Sequence, residues 1–366
     1  MLVKEIMAAI EAYAPTAYQE SYDNCGLQVG NAEDEVTGVL ITLDVTEEVV
    51  EEAMEQGCSM IVAHHPLIFG GLKKIAGRNY VKRIVRMAIK NDITIYAAHT
   101  NLDNMHNGVN ARIAEKLGLK NTRVLDAKAG TISKLYTYVP LDAADKVRDA
   151  LFAAGAGGIG NYSEASFNTN GTGTFRPGAN AHPATGEAGG RREWVDEVKI
   201  EVIVEQHAQQ RVLRAMRAAH PYEEVAYELI PLANSNQQIG AGMIGELETA
   251  MEEHDFLAMV KAQMRTECIR HTALRNKPVK RVAVCGGSGS FLLGKAIQAG
   301  ADVFITGDFK YHQFFDAEGR IVIADIGHYE SEQYTGEIFA AILSEKFPNF
   351  AILLSKLITN PVKYFC

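Results

Sequence analysis

The sequence lacks several features that would assign it to a common class of protein. It contains no apolar run of about 18 residues, the length that a transmembrane helix requires. Its five cysteines are scattered and form no CxxC pair, which argues against a disulfide framework and against a thiolate zinc site. An acidic residue, Glu5, stands too early for a secretory signal peptide. We therefore expect a cytoplasmic protein that does not span a membrane.

The charge and the length limit the class further. Lys and Arg total 36 and Asp and Glu total 45, so the formal net charge is −9. This acidic balance argues against nucleic-acid binding by the surface as a whole, although it leaves local basic patches open. A chain of 366 residues with 47% hydrophobic content can bury a large core and suggests at least two domains.

Apolar runs alternate with helical periodicity in the first and last thirds of the chain. Residues 39–43 form a continuous apolar run, as expected of a strand that is buried on both faces. Residues 59–63, 93–98, 302–306 and 320–325 are further predicted strands, and residues 350–354 supply a last strand. This alternation predicts an α/β core with mostly parallel sheets and helices on both faces.

The middle of the chain follows a different pattern. Strand–helix pairs flank a stretch, residues 155–192, that is rich in Gly, Asn, Thr and Ala. If that stretch supplies one strand, the order is β-α-β-β-α-β, which is typical of a ferredoxin-like module. We therefore expect residues 1–123 and 239–366 to form a two-lobed α/β core, interrupted by an α+β insert at residues 124–238. Three consecutive domains are the alternative, but each flank would then have too few strands for a closed sheet.

Three separated segments place imidazoles and carboxylates at the ends of predicted strands. They are AHHP at residues 63–66, HTNLD at residues 99–103 and GHYESE at residues 327–332. Sites in parallel α/β sheets form beyond the carboxyl ends of the strands, so we expect these side chains to lie together. Imidazole with carboxylate suits zinc, iron and manganese alike. The sequence therefore predicts a site for one or two divalent metal ions.

The first and third segments have informative spacings. His64 and His65 are adjacent at a strand end, where they can splay and face two different ions. His328 and Glu332 are four residues apart and share one face if they begin a helix that runs to about residue 346. Glu330 points elsewhere on that geometry.

The second segment offers Asp103 and His99. Asp103 is the carboxylate that we expect to bridge two ions, which together could deprotonate a water molecule and polarise a substrate oxygen. His99 can equally be a metal ligand or a hydrogen-bond partner behind the site, and the spacing does not decide between these roles.

Three more segments carry weaker signals. CGGSGS at residues 285–290 could bind an anion through backbone N–H groups, or it could be an ordinary strand-to-helix turn. Asp308 and His312 follow the next strand and are candidate acid/base groups, although they could also begin a solvated helix. DNCGLQVG at residues 23–30 has turn chemistry, and we expect it to be structural or to line a pocket.

These motifs together resemble the Nif-three-like family of dinuclear metal-centre proteins. Six motifs, which include TGDFKYH at residues 306–312, occur in order over nearly the whole chain. HPYEEVAYELIPL at residues 220–232 resembles the PII/CutA-like insert of the longer bacterial members. The resemblance implies a toroidal homohexamer with two divalent ions per subunit. It also implies that the metal ligands are His64, His65, Asp103, His328 and Glu332.

The resemblance implies a function as well. Members of the family carry the label GTP cyclohydrolase type 2 homologue, which implies hydrolytic opening of a purine ring. The leading hypothesis is therefore a two-metal hydrolase that acts on a nucleotide-like or small anionic substrate, with Asp308 and His312 as catalytic groups. The alternatives are a metal chaperone or chelatase and a regulatory hexameric scaffold that binds partner proteins.

Overall fold

The computed structural model describes residues 1–365, which form two compact units. The first unit covers Met1–Ala127 and resumes at Gln237, and the second unit covers Lys128–Asn236. Among the described residues, no helix is both long and apolar enough to cross a membrane.

The first unit opens with a helix and then alternates strands and helices. Its elements up to the second unit are α1 (Val3–Tyr13), β1 (Gly26–Val29), β2 (Val39–Thr42), α2 (Glu47–Glu55), β3 (Met60–Ala63), α3 (Tyr80–Lys90), β4 (Thr94–Ala97), α4 (Thr100–Asp103), α5 (Val109–Lys116) and β5 (Lys120–Ala129). Side chains cap two of these helices: Thr46 accepts a hydrogen bond at the start of α2, and Asn79 does so at the start of α3.

The second unit is a ferredoxin-like α+β module. Its elements are β6 (Ile132–Pro140), α6 (Ala144–Ala153), β7 (Ser166–Phe175), β8 (Glu193–Glu205), α7 (Gln209–Ala219) and β9 (Tyr227–Pro231). The strands form one antiparallel sheet in the order β7-β8-β6-β9. The Gly-rich stretch does supply a strand, β7, and alternate residues of β8 from Val198 to Val204 join the apolar core of this unit.

The chain then completes the first unit. The remaining elements are β10 (Ser235–Met251), α8 (Glu253–Gln263), β11 (Arg270–His271), β12 (Val279–Ser288), α9 (Leu293–Gln298), β13 (Val303–Gly307), β14 (Val322–Asp325), α10 (His328–Glu332), α11 (Thr335–Lys346) and β15 (Ile352–Leu354). A 3₁₀ helix at Tyr311–Ala317 separates β13 from β14. The single helix predicted from residue 328 to residue 346 is wrong, because the chain breaks it after Glu332 into α10 and α11.

Two sheets organise the first unit. One has the order β1-β4-β3-β2-β15 and is parallel except for β1. The other has the order β11-β14-β13-β12-β10-β5, with a parallel centre of β12, β13 and β14 and antiparallel partners in β10 and β11. The α/β prediction is confirmed, and the second sheet is mixed rather than mostly parallel. All residues of β2, β3, β4, β13 and β14 are buried, which confirms for β2 the burial that its continuous apolar run predicted.

Candidate metal centre

The carboxyl ends of three parallel strands bring the three predicted segments together. His64 and His65 directly follow β3, Asp103 ends the short helix α4 after β4, and α10 follows β14. His328 and Glu332 are the first and last residues of α10. Two of these strands belong to the first sheet and one to the second, so both sheets of the first unit contribute to the cluster.

One group of potential ligand atoms lies deep in the cluster. Nε2 of His64 is 3.5 Å from Oδ1 of Asp103 and 3.8 Å from Oε1 of Glu332. The His64 ring is fully buried, and Glu332 is 2% exposed. The set of one imidazole and two carboxylates matches the ligands of a divalent metal ion.

A second group lies nearer the surface. Oε2 of Glu332 is 2.9 Å from Nε2 of His65 and 3.1 Å from Nε2 of His328. The two imidazole nitrogens are 3.3 Å apart. These three atoms could hold one further cation.

Glu332 is common to both groups, with Oε1 in the deep group and Oε2 in the outer group. The sequence predicted that Asp103 would bridge two ions. In the structure Asp103 belongs only to the deep group, together with His64 and Glu332. The carboxylate that the two groups share is therefore that of Glu332.

Carboxylates behind the outer group orient its two imidazoles. The Nδ1–H of His65 donates to Asp44 at 2.7 Å, and that of His328 donates to Asp308 at 2.7 Å. Such hydrogen bonds fix the tautomer and leave Nε2 available to a metal. Asp308, predicted as a catalytic group, thus lies behind His328 and hydrogen-bonds its Nδ1, and its catalytic role stays a prediction.

The other two imidazoles are oriented in the same way. The Nδ1–H of His64 donates to the carbonyl oxygen of Ala98 at 2.9 Å. Nδ1 of His99 is 3.0 Å from Oδ1 of Asp23. The His99 ring lies 5.2 Å from the His64 ring, and one of its nitrogens groups with those of His64 and His65. The structure thus brings His99 to the edge of the cluster.

Sequence reasoning missed Asp23. The segment that contains it was expected to have turn chemistry, but residues after Asp23 form β1, an edge strand paired with β4. Besides His99, Asp23 accepts hydrogen bonds from the backbone N–H and the hydroxyl of Thr100. A lone acidic residue far along the chain from its partners carries no spacing signal, so only the fold reveals this role.

The second predicted catalytic residue, His312, lies apart from these contacts. It is exposed on the 3₁₀ helix, and its ring packs against Tyr311 at 5.1 Å. Within residues 1–365, no hydrogen bond, ion pair or ring contact joins His312 to the clustered imidazoles. The acid/base role of His312 therefore stays a prediction.

The CGGSGS loop lies against the cluster, but its amides are not free. The backbone N–H groups of three glycines donate to side-chain oxygens: Gly286 to Asn110, Gly287 to Ser331 and Gly289 to Thr306. The predicted anion cradle is therefore wrong for these three amides. The loop instead allows a close approach: a Cβ at Gly287, where φ is +59°, would lie 2.5 Å from Oε1 of Glu332.

The ionisable groups of the cluster perturb one another strongly. Burial acts to lower the pKa of His65, but hydrogen bonds with Asp44 and Glu332 outweigh it and raise that pKa to about 9. Burial also opposes the charged form of His328, yet Asp308 and Glu332 raise its pKa to about 11. Burial acts to raise the pKa of Glu332, but the imidazoles around it hold that pKa well below its usual value. Cations of either kind, protons or metals, are thus favoured around Glu332.

Two buried polar atoms test whether the residues fit a metal ion. Nε2 of His64 and Oδ1 of Asp103 are buried and have no hydrogen-bond partner. Leaving such an atom unsatisfied costs about 1–3 kcal/mol, and native proteins rarely leave two together. A divalent cation would coordinate both atoms. The donor set and these two atoms therefore fit a metal, and the cluster is a possible metal site.

Comparison with known proteins identifies the family. A family model described as Duf34/NIF3 (NGG1p interacting factor 3) matches residues 1–361. The chain belongs to this family. Membership in Duf34/NIF3 confirms the resemblance that the ordered motifs predicted.

Individual Duf34/NIF3 relatives match over their full length. One from Halalkalibacterium halodurans, named GTP cyclohydrolase 1 type 2 homolog, is 40% identical over 364 residues, which is 98% of each chain. One of the same name from Bacillus subtilis is 37% identical and covers 99% of this chain and 98% of its own. A crystal structure of a Bacillus cereus protein related to NIF3 has a TM-score of 0.86 and 41% identity, covering 100% of this chain and 99% of the other. The whole fold is therefore shared with solved members of the family.

Proposed function

We propose that this protein is a cytoplasmic two-metal hydrolase that acts on a nucleotide-like or other small anionic substrate. The observation that supports this most strongly is the shared carboxylate of Glu332, which offers one oxygen to each of two groups of ligand atoms. Zinc, iron and manganese all suit imidazole with carboxylate.

In this proposal His64 and Asp103 would hold one ion in the deep group, and His65 and His328 would hold one ion in the outer group. Glu332 is common to both groups. Bound divalent ions would lower the pKa of a water molecule and polarise a substrate oxygen. The protein's own contribution is orientation. Asp44 and the other partners at Nδ1 fix the imidazole rings before any ion arrives, which lowers the cost of ordering them.

The substrate class is carried over from relatives. Curated relatives bear the name GTP cyclohydrolase 1 type 2 homolog, so GTP is the first substrate to test. We also propose that residues 124–238 are an inserted domain. We further propose that the chain assembles as a homohexamer, and light scattering of the purified protein would test that oligomeric state.

The test compares wild-type protein with Asp103→Ala and, as a control, Glu330→Gln. Each is reconstituted with zinc, iron or manganese, and opening of the purine ring of GTP is followed by absorbance. Glu330 is also buried on α10, but its carboxylate accepts a hydrogen bond from Asn360 rather than facing an imidazole. We expect turnover in wild type and in Glu330→Gln and its loss in Asp103→Ala. Equal turnover in all three would contradict the metal-centre mechanism, and no turnover of GTP by wild type with any of the three metals would contradict GTP as substrate.

A further inference from the structure

A strongly basic segment follows the first pair of histidines. Between Pro66 and Asn91 the chain has seven Lys or Arg residues and no Asp or Glu, although the whole protein has a net charge of −9. The segment comprises the loop after His65 and then helix α3 (Tyr80–Lys90). A local positive field of this kind attracts anions to one place on an otherwise acidic protein.

This segment lines a cavity that is open to solvent. Residues 67–74 and 79–82 line a space of about 590 Å³, a volume typical of small-molecule sites. Three lysines, Lys73, Lys74 and Lys82, contribute to its walls. The cavity also includes the first turn of α3, where the helix dipole favours an anion, although the Asn79 side chain already caps the N–H of Lys82.

Two of the three arginines in the segment hold the loop, and three of its lysines have no such partner. Arg83 forms an ion pair with Glu47 at 2.8 Å and also donates to the carbonyl oxygen of Arg78. Arg86 donates to the carbonyl oxygen of Gly77 at 3.1 Å. By contrast, none of the three lysine ammonium groups has an ion-pair or hydrogen-bond partner anywhere in residues 1–365. Arg83 and Arg86 thus brace the loop, whereas Lys73, Lys74 and Lys82 are unpaired.

The cavity adjoins the metal centre. Phe69 lines the cavity, and its ring centroid lies 6.3 Å from that of His99 at the edge of the cluster. The same loop is fixed at Ile68, whose carbonyl oxygen accepts from Asn24 at 2.5 Å and whose N–H donates to Gln28 at 3.1 Å. A single ligand could therefore occupy the cavity and extend past Phe69 towards the clustered imidazoles.

We propose that this cavity is the subsite for the phosphate groups of a substrate that carries two or more phosphates. This inference rests on the proposed function for its substrate, but the anion site itself can be tested alone. The three ammonium groups of Lys73, Lys74 and Lys82 and the start of α3 match the charge of a di- or triphosphate chain. The glycine amides of the CGGSGS loop already have partners, so they do not compete for this role.

The direct test is calorimetric titration of inorganic tripolyphosphate into the full-length protein without added divalent metal. The variant Lys73→Ala/Lys74→Ala removes two exposed lysines from the cavity. The control Lys120→Ala/Lys277→Ala makes the same charge change at exposed lysines outside it. We expect affinity to fall at least about tenfold in the first variant and to stay near the wild-type value in the control. Equal affinity in the two double variants would overturn the proposal.

A second measurement separates this inference from the proposed hydrolase activity. His65→Ala should lose outer-group metal binding yet still bind tripolyphosphate like wild type. If it does so while wild type hydrolyses no nucleotide, the subsite is supported and the hydrolase proposal fails. If nucleotide turnover is present but its KM is unchanged in Lys73→Ala/Lys74→Ala, the hydrolase proposal stands and the subsite is refuted. Tighter binding of a single-stranded oligonucleotide than of GTP at the same lysines would refute a nucleotide ligand.

Discussion

Replacing Glu332 with glutamine should weaken both metal positions at once. The side chain keeps its shape, but it loses the negative charge that one carboxylate presents to two groups of ligand atoms. Because Glu332 is 2% exposed, water cannot compensate for the lost charge. A charge-assisted contact is worth about 1.5–3 kcal/mol, so each ion should bind at least about tenfold more weakly.

Asp103→Asn is the informative comparison. Asp103 belongs only to the deep group, whereas His65 and His328 complete the outer group without it. We therefore expect Asp103→Asn to weaken one ion and to leave the other near its wild-type affinity. Glu330→Gln, in the same short helix, should leave both unchanged because its carboxylate faces Asn360.

Metal content after dialysis against a competing chelator, measured by mass spectrometry, would report both affinities. Two retained ions in Glu332→Gln would refute the shared role of Glu332. Loss of both ions to the same extent in Asp103→Asn and Glu332→Gln would return the bridging role to Asp103, as the sequence alone predicted. Circular dichroism of each variant would show whether the fold persists.

Two further substitutions test the surroundings of the cluster, and a third tests Asp302, which lies just before β13. Asp44→Asn should weaken outer-group metal binding about 10–100-fold, measured by calorimetry, because the imidazole behind that ion loses its orienting partner. Gly287→Ala should lower the free energy of unfolding in urea by at least about 1–2 kcal/mol, because φ is +59° and the new methyl group would meet Glu332. The control Gly294→Ala should not destabilise the protein, because a methyl group at that position has open space. Burial acts to raise the pKa of Asp302, but hydrogen bonds from backbone N–H groups and a guanidinium outweigh burial and lower that pKa. The ionised Asp302 carboxylate therefore stabilises the folded protein above the unfolded pKa of about 3.9, and this contribution is lost as pH falls further. Unfolding free energy measured below about pH 4 should therefore depend less on pH in Asp302→Asn, and an unchanged slope would contradict this account.

The clustering of the main metal-site candidates was predictable because it depends on local pattern. A continuous apolar run marks a strand buried on both faces, and the polar residues that follow it must lie at the carboxyl end. His64, His65 and His328 satisfy that rule directly, since each lies within three residues of the end of a buried parallel strand. The rule needs no knowledge of which strands are neighbours.

The partners behind these ligands were not predictable in the same way. Asp44 contacts an imidazole 21 residues away, and Asp23 contacts one 76 residues away. Neither carboxylate has a fixed spacing from its partner, so only the packing of β1, β2, β3 and β4 brings them together. The anion-binding role considered for the CGGSGS loop could not be judged from the sequence for a related reason. Whether a glycine amide is free depends on side chains from other elements, here Asn110, Ser331 and Thr306.

The orientation of the imidazoles argues that the cluster is built to bind a cation rather than only to stabilise the fold. A purely structural cluster would be expected to satisfy its buried polar atoms internally, because each unsatisfied atom costs free energy. Here Nδ1 of each clustered histidine is hydrogen-bonded outward, while Nε2 of His64 and Oδ1 of Asp103 have no partner. The two unsatisfied atoms lie together with Oε1 of Glu332, whereas the hydrogen-bonded Nδ1 atoms point to partners behind the cluster. This division leaves two buried atoms without a partner on the inner face of the cluster, and a divalent ion would coordinate both.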